Sequence, residues 1–131
     1  MIGLDTNVLV RYIMQDDSRQ SPQASKLVES LSADAPGFVT LVSVVELVWV
    51  LGSCYELDRA QLGAALEGLL RTKEITVERA ETVWKSVRLY GNSSADFADC
   101  LIQCSAAAAG CTHTMTFDRT AAKNCGMTLV Q

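Results

Sequence analysis

Carboxylates are the side chains of this sequence whose positions point to chemistry. Asp5 directly follows a short apolar run, and Asp118 follows a second such run over residues 114–117. If both runs are strands of a parallel sheet, both aspartates lie at its carboxyl edge, where open sheets bind ligands. Each aspartate also suits the N-cap of a following helix, which is a purely structural role. The pattern therefore leaves two interpretations open for both residues.

Glu46 is the only charged residue between Phe38 and Leu51. From Val44 onward this stretch is otherwise apolar, which predicts a helix enclosed by its neighbours. A carboxylate buried there must be neutralised, hydrogen-bonded or bound to a cation. Alternatively, Ser43 to Glu46 fits a capping box at the start of the helix, in which Glu46 accepts from the Ser43 amide.

Asp96 and Asp99 are three residues apart at the start of another predicted helix. They lie on the same face of its first turn. Asp96 suits the N-cap, and acidic residues there complement the helix dipole. That role explains Asp99 less well, and two neighbouring carboxylates repel each other unless a cation lies close to them.

If these carboxylates converge, they form an all-oxygen site, which favours Mg²⁺ or Mn²⁺ over zinc. Such an ion polarises water and stabilises charge on a phosphate group. The chain has 15 acidic and 11 basic residues and a net charge of −4, which by itself argues against a nucleic-acid partner. Acids gathered around a divalent cation remove that objection.

The elements that position these acids alternate between strands and helices. Amphipathic helical stripes separate short apolar runs, and this order predicts an α/β fold with a parallel sheet covered on both faces. The predicted strands are residues 2–4, which we expect to be buried, 38–41, 74–77, 114–117 and 128–130.

The length and composition predict a single domain over residues 1–131, because 131 residues with 49% hydrophobic content suffice for one core. The longest apolar run, residues 38–51, is too short to span a membrane. No basic segment precedes an apolar stretch near Met1, so we expect no secretory signal and a cytoplasmic location.

The five cysteines form an odd set without a Cys-x-x-Cys pair. We expect them to be small buried hydrophobes of a protein from a reducing compartment. A zinc site is the alternative, since Cys100 and Cys104 share a helix face, but His113 is the only histidine available as a further ligand.

Four segments in order resemble the single-domain PIN ribonucleases, the VapC-like toxins of bacterial toxin–antitoxin pairs. They are the start Leu4-Asp5-Thr6-Asn7-Val8-Leu9, Glu46 in its apolar helix, Asp96-Phe97-Ala98-Asp99-Cys100-Leu101-Ile102, and Thr116-Phe117-Asp118-Arg119. The resemblance covers essentially the whole chain. It implies a PIN-like α/β/α sandwich with a central parallel sheet and an acidic pocket that binds Mg²⁺ or Mn²⁺.

The resemblance also implies a metal-dependent endoribonuclease that hydrolyses phosphodiester bonds in RNA, with transfer or ribosomal RNA as the target. Asp5, Glu46, Asp99 and Asp118 match the metal-binding and catalytic acids, and Asp96 competes with Asp99 for the third position. Thr6, Asn7 and Thr116 match polar positions that support the carboxylates, and Arg119 matches a phosphate contact. Implied partners are a cognate antitoxin protein and a second copy in a homodimer, with no membrane association.

Other functions remain open at this point. A haloacid-dehalogenase-like phosphatase needs a second aspartate two residues after Asp5, where this chain has Asn7. A catalytically silent PIN-like scaffold that binds protein or RNA is the main alternative. Some basic residues either border a substrate path or are solvated surface charges, namely Arg11, Arg19, Arg119 and Lys123. Trp49 and Trp84 suit either core packing or an interface.

Overall fold

The structure is a computed structural model that describes residues 1–131, which divide into two compact units, residues 1–78 and 79–131. Helices and parallel strands alternate in both units, so the predicted α/β class is confirmed. A single domain over the whole chain stays a prediction.

The first unit is a three-stranded parallel sheet with four helices. The strand order is β1-β2-β3, with Ile2 opposite Gly37 and Gly37 opposite Ile75. The elements in chain order are β1 (Ile2–Gly3), α1 (Thr6–Met14), α2 (Gln20–Glu29), β2 (Gly37–Val39), α3 (Leu41–Ser53), α4 (Arg59–Arg71) and β3 (Ile75–Val77). Because β1 and β2 are parallel neighbours, α1 and α3 begin side by side at the carboxyl edge of the sheet.

The core of this unit lies where the helices cover the sheet. Leu9 of α1, Val39 of β2 and Leu47 of α3 have no exposed side-chain surface. Gly37 of β2 is packed so closely that an added Cβ would lie 2.7 Å from a Leu4 methyl carbon. A larger residue there would force the Leu4 and Leu31 side chains to move, so the packing over β2 at this point is built around a glycine.

The second unit is a helical pair followed by a small parallel sheet. Its elements are α5 (Ala80–Gly91), α6 (Phe97–Ala108), β4 (Met115–Thr116), α7 (Arg119–Cys125) and β5 (Thr128–Leu129), with β4 pairing β5. Tyr90 and Phe97 pack edge to face, with ring centroids 5.8 Å apart. As expected for a C′ glycine, Gly110 follows α6 with a φ of +96°.

One boundary and one burial prediction in the first unit differ from the structure. Leu41 was predicted to end a strand, but it begins α3, because the side chain of Thr40 caps the helix by accepting from the Ser43 amide. The capping box from Ser43 to Glu46 is therefore wrong. β1 is not buried as predicted: Ile2 is 47% exposed, and within its sheet β1 has a neighbour on one side only.

The prediction that α3 is enclosed on every side is also wrong. Val42 is 70% exposed and Trp49 is 66% exposed, and both lie on a different face of α3 from the buried Val44 and Leu47. The apolar residues of α3 thus lie on two faces of the helix. One face packs in the core, and the other is exposed. Trp49 is a surface residue rather than a core residue.

Candidate functional site

Asp5 lies where β1 leads into α1. It is the N-cap of α1, in an extended conformation, and its Oδ1 accepts a hydrogen bond from the Thr6 amide at 2.8 Å. The capping role is therefore confirmed for Asp5. The side chain is exposed and the cap uses only Oδ1. Oδ2 can therefore bind a ligand without loss of the helix cap.

Glu46 is held by a side chain from the neighbouring helix. The Thr6 hydroxyl donates to Glu46 Oε1 at 2.8 Å, and Thr6 itself is only 8% exposed. Glu46 is exposed rather than buried as predicted, because it lies on the side of α3 that faces the carboxyl edge of the sheet. The contact fixes the orientation of a carboxylate that solvent can reach.

A cleft of about 470 Å³ brings the acids of the first unit together. Of the residues predicted from the sequence, Asp5, Thr6, Asn7 and Glu46 line it. The other lining residues are Val10, Arg11, Val50, Cys54 and Tyr55. The sequence carried no signal for Cys54 and Tyr55, which reach the cleft only because α3 ends beside α1.

The second unit gathers three further carboxylates. Asp96 occupies the N-cap position of α6, but its side chain makes no capping hydrogen bond. Asp99, one turn further on, is half-buried. Burial raises the pKa of the Asp99 carboxyl, and the neighbouring charges of Asp96 and Asp118 raise it further. This is the pattern of a carboxylate cluster that lacks a compensating positive charge.

Asp118 is the N-cap of α7. Its Oδ1 accepts from the Thr120 amide at 2.8 Å and from the Ala121 amide at 3.2 Å. Thr116 supports it through the backbone, since Thr116 Oγ1 accepts from the Asp118 amide at 3.0 Å. Arg119, the next residue, is exposed.

The cysteines divide between core and surface, so the prediction that they are all buried is wrong. Cys100 and Cys125 are buried, Cys104 is half-buried, and Cys54 and Cys111 are exposed; none forms a disulfide. Burial and then the charge of Asp99 raise the pKa of the Cys125 thiol, whose Sγ donates to the Ala121 carbonyl. A thiol in this state is a poor metal ligand.

The donor chemistry of both carboxylate groups fits a hard divalent cation. As they stand in the structure, no three His, Cys, Asp or Glu side chains are grouped closely enough to hold a metal ion. The available donors are carboxylate oxygens on helix starts, which match Mg²⁺ or Mn²⁺ and leave positions for water and phosphate.

The chain as a whole matches a known family. The family model for the PIN domain matches residues 2–126, and the chain therefore belongs to the PIN domain family. One relative is the VapC ribonuclease of Aquifex aeolicus (strain VF5), which is 24% identical over 116 residues, covering 88% of this chain and 86% of the relative. The resemblance found in the four sequence segments is thus confirmed. None of the helices is long and apolar enough to cross a membrane.

Proposed function

We propose that this protein is a metal-dependent endoribonuclease and the toxin of a toxin–antitoxin pair. The observation that carries the proposal is the cleft in which Asp5 and Glu46 lie together in a PIN-domain chain. The similarity to a protein named as a VapC ribonuclease supports the reaction class. The proposed substrate is transfer or ribosomal RNA, and the proposed location is the cytoplasm.

The proposed metal ligands are Asp5, Glu46, Asp99 and Asp118, acting directly or through water. When bound, Mg²⁺ or Mn²⁺ supplies positive charge for the phosphate and the leaving oxygen and lowers the pKa of water. The half-buried Asp99 and the neighbouring charges of Asp96 and Asp118 support this proposal, since a cation relieves their mutual repulsion.

Glu46 is the proposed general base. Thr6 occupies Oε1, which leaves Oε2 of the same carboxylate to accept a proton from the attacking water. The water oxygen forms a bond to phosphorus, the bond to the 3′-oxygen breaks, and that oxygen takes a proton from solvent. The products are a 5′-phosphate and a 3′-hydroxyl, so the RNA 2′-hydroxyl is not needed as the nucleophile.

The proposed partners are an antitoxin protein and a second copy of the chain. The exposed face of α3 supports an interface, because Val42 and Trp49 expose 70% and 66% of their surface. A basic antitoxin side chain placed near Asp5 and Glu46 would compensate their charge. No feature of the structure favours the catalytically silent scaffold.

Digestion of total RNA by the purified protein tests the proposal. We expect cleavage in Mg²⁺ or Mn²⁺, no cleavage in a chelator, and cut ends that carry 5′-phosphates. Asp5→Asn keeps an acceptor for the Thr6 amide but removes the charge, and should lower cleavage by roughly 100-fold or more. Asp34→Asn, in an exposed bend outside the cleft, is the matched control. Equal cleavage by the Asp5→Asn variant and the wild type would overturn the assignment.

A further inference from the structure

A second cleft adjoins the one that holds Asp5 and Glu46. It has a volume of about 260 Å³ and lies between α1 and α2. Its polar lining consists of Asn7, Arg11, Gln20 and Gln23. Asn7 and Arg11 line both clefts and lie one helical turn apart on the same face of α1. The two clefts therefore share one wall, the face of α1 that carries Asn7 and Arg11.

Arg11 is the only basic side chain that lines either cleft. Its Nε donates to Gln20 Oε1 at 2.8 Å, and its backbone carbonyl accepts from the Ser21 hydroxyl at 2.8 Å. Ser21 is 2% exposed, so this contact joins α1 to α2 inside the protein. The guanidinium is consequently oriented before any ligand arrives.

The Nη1 end of Arg11 has only long contacts. The Tyr55 hydroxyl lies 3.4 Å away and an Asp16 carboxylate oxygen 3.6 Å away. The side chains of Arg11 and Asp16 are 33% and 43% exposed, and such surface pairs contribute little. A phosphate forms shorter, bidentate bonds to a guanidinium and competes well with both partners.

We propose that the cleft between α1 and α2 is a nucleotide-binding subsite next to the cleavage site. Arg11 binds a backbone phosphate of single-stranded RNA, and the Gln23 amide hydrogen-bonds the base or ribose of the flanking nucleotide. Gln20 acts as a positioning residue, because its carbonyl oxygen holds Arg11. Amides and a guanidinium suit unpaired RNA, whose base edges and phosphates are both accessible. The subsite rests on the proposed function, since it places a nucleotide beside the carboxylates that cut.

RNA binding without cleavage tests the subsite apart from catalysis. A fluorescent single-stranded oligoribonucleotide is titrated in a chelator over about 50 to 200 mM salt, and log Kd is plotted against log salt concentration. Loss of one phosphate contact makes the slope shallower by about 0.7 for a single strand. We expect this change for Arg11→Gln, together with weaker binding at low salt.

Arg19→Gln is the matched control. Arg19 is exposed and lines neither cleft, and both substitutions change the net charge from −4 to −5. We expect Arg19→Gln to leave the slope and Kd close to those of the wild type. If Arg11→Gln and Arg19→Gln behave alike, the subsite is wrong although RNA cleavage stands.

Two further variants keep the test independent of folding. Arg11→Lys should restore the slope but not the full affinity, because an ammonium cannot bind phosphate bidentately. Gln23→Glu changes an exposed residue and should weaken binding more than Arg19→Gln, which carries the same charge change. Unchanged binding by Gln23→Glu overturns the subsite even if Arg11→Gln fails to fold.

Failure of the wild type to bind any RNA overturns the subsite and the proposed substrate together, and so differs from the outcomes above. If Arg11→Gln weakens binding of the antitoxin and leaves RNA binding unchanged, the cleft recognises protein. That result also overturns the subsite.

Discussion

At the scale of single residues, the site depends on carboxylates that are oriented without being buried. Glu46 is exposed, so it does not bear the desolvation penalty that its apolar surroundings in sequence predicted. Its orientation comes instead from one hydrogen bond, the 2.8 Å contact from the Thr6 hydroxyl. Thr6 is therefore a positioning residue, and its effect on the reaction can be separated from its effect on stability.

Thr6→Val removes the hydroxyl and keeps the shape of the side chain. We expect kcat for RNA cleavage to fall roughly 10- to 100-fold with KM nearly unchanged, as for other residues that orient ligands of a metal site. Thr6→Ser keeps the donor and should recover most of kcat. Steady-state kinetics at several pH values check this, and a change in KM alone would contradict a positioning role.

Asp96 and Asp99 can be separated by parallel substitutions. Asp99 is the half-buried member of the pair, whereas Asp96 is exposed. We expect Asp99→Asn to lower cleavage by roughly 100-fold or more, and Asp96→Asn by only a few-fold through loss of nearby charge. The same cleavage assay measures both, and a larger loss in Asp96→Asn would move the third acid of the site to Asp96.

At the scale of elements, the helix starts carry both stability and function. Asp5, Thr40 and Asp118 cap α1, α3 and α7 through side-chain oxygens. The start of α2 is built differently. Asp17 lies before that helix, and its Oδ1 accepts from the Gln20 amide at 2.6 Å and the Arg19 amide at 3.0 Å.

Substitution of Asp17 tests this helix start through pH. The amides of Gln20 and then Arg19 lower the pKa of the Asp17 carboxyl below its ordinary value of 3.8, and the charge of Arg11 adds to the effect. The folded state thus favours the ionised form. The resulting stabilisation is fully present above the unfolded pKa near 3.8 and is lost as pH falls through the lower folded value.

Asp17→Asn should therefore lower the unfolding midpoint at neutral pH, and the difference from the wild type should shrink below about pH 4. Chemical denaturation at several pH values measures this. Asp34→Asn in its exposed bend serves as the control, with no change expected. A constant difference between Asp17→Asn and the wild type at all pH values would contradict the account.

At the scale of the whole molecule, the candidate site residues account for part of the negative net charge of −4. Five of the 15 acidic residues are the candidate site residues Asp5, Glu46, Asp96, Asp99 and Asp118. Asp5 and Glu46 belong to the first unit and the other three to the second. If these acids bind a divalent ion as proposed, that binding must stabilise the folded state.

At a hundredfold excess over its Kd, Mn²⁺ should add about 2.7 kcal/mol to the unfolding free energy of the wild type. The unfolding midpoint should rise accordingly. Asp5→Asn and Asp118→Asn each keep a capping acceptor, and each should abolish most of this stabilisation. Thermal unfolding with calorimetric titration measures the effect. Full stabilisation by Mn²⁺ in the Asp118→Asn variant would remove Asp118 from the proposed metal ligands.

The features that the sequence determined by itself are those that depend on residues close together in the chain. Asp5 and Asp118 were predicted as residues that follow strands and start helices, because capping depends on amides within the next few positions of the chain. The alternation of elements and the glycine after α6 were likewise predicted, since hydrophobic periodicity and a positive φ depend on neighbouring residues. The order of the acids also sufficed to indicate the PIN family and its chemistry.

Only the tertiary structure decided which side chains are exposed and which meet. Thr6 and Glu46 are 40 residues apart, and they touch because β1 and β2 pair and bring α1 beside α3. An apolar residue looks the same in sequence whether its helix face is covered or open, so Trp49 on the surface and Leu47 in the core could not be distinguished. Arg11 gained its place between two clefts in the same way, since the packing of α2 and the end of α3 against α1 creates both.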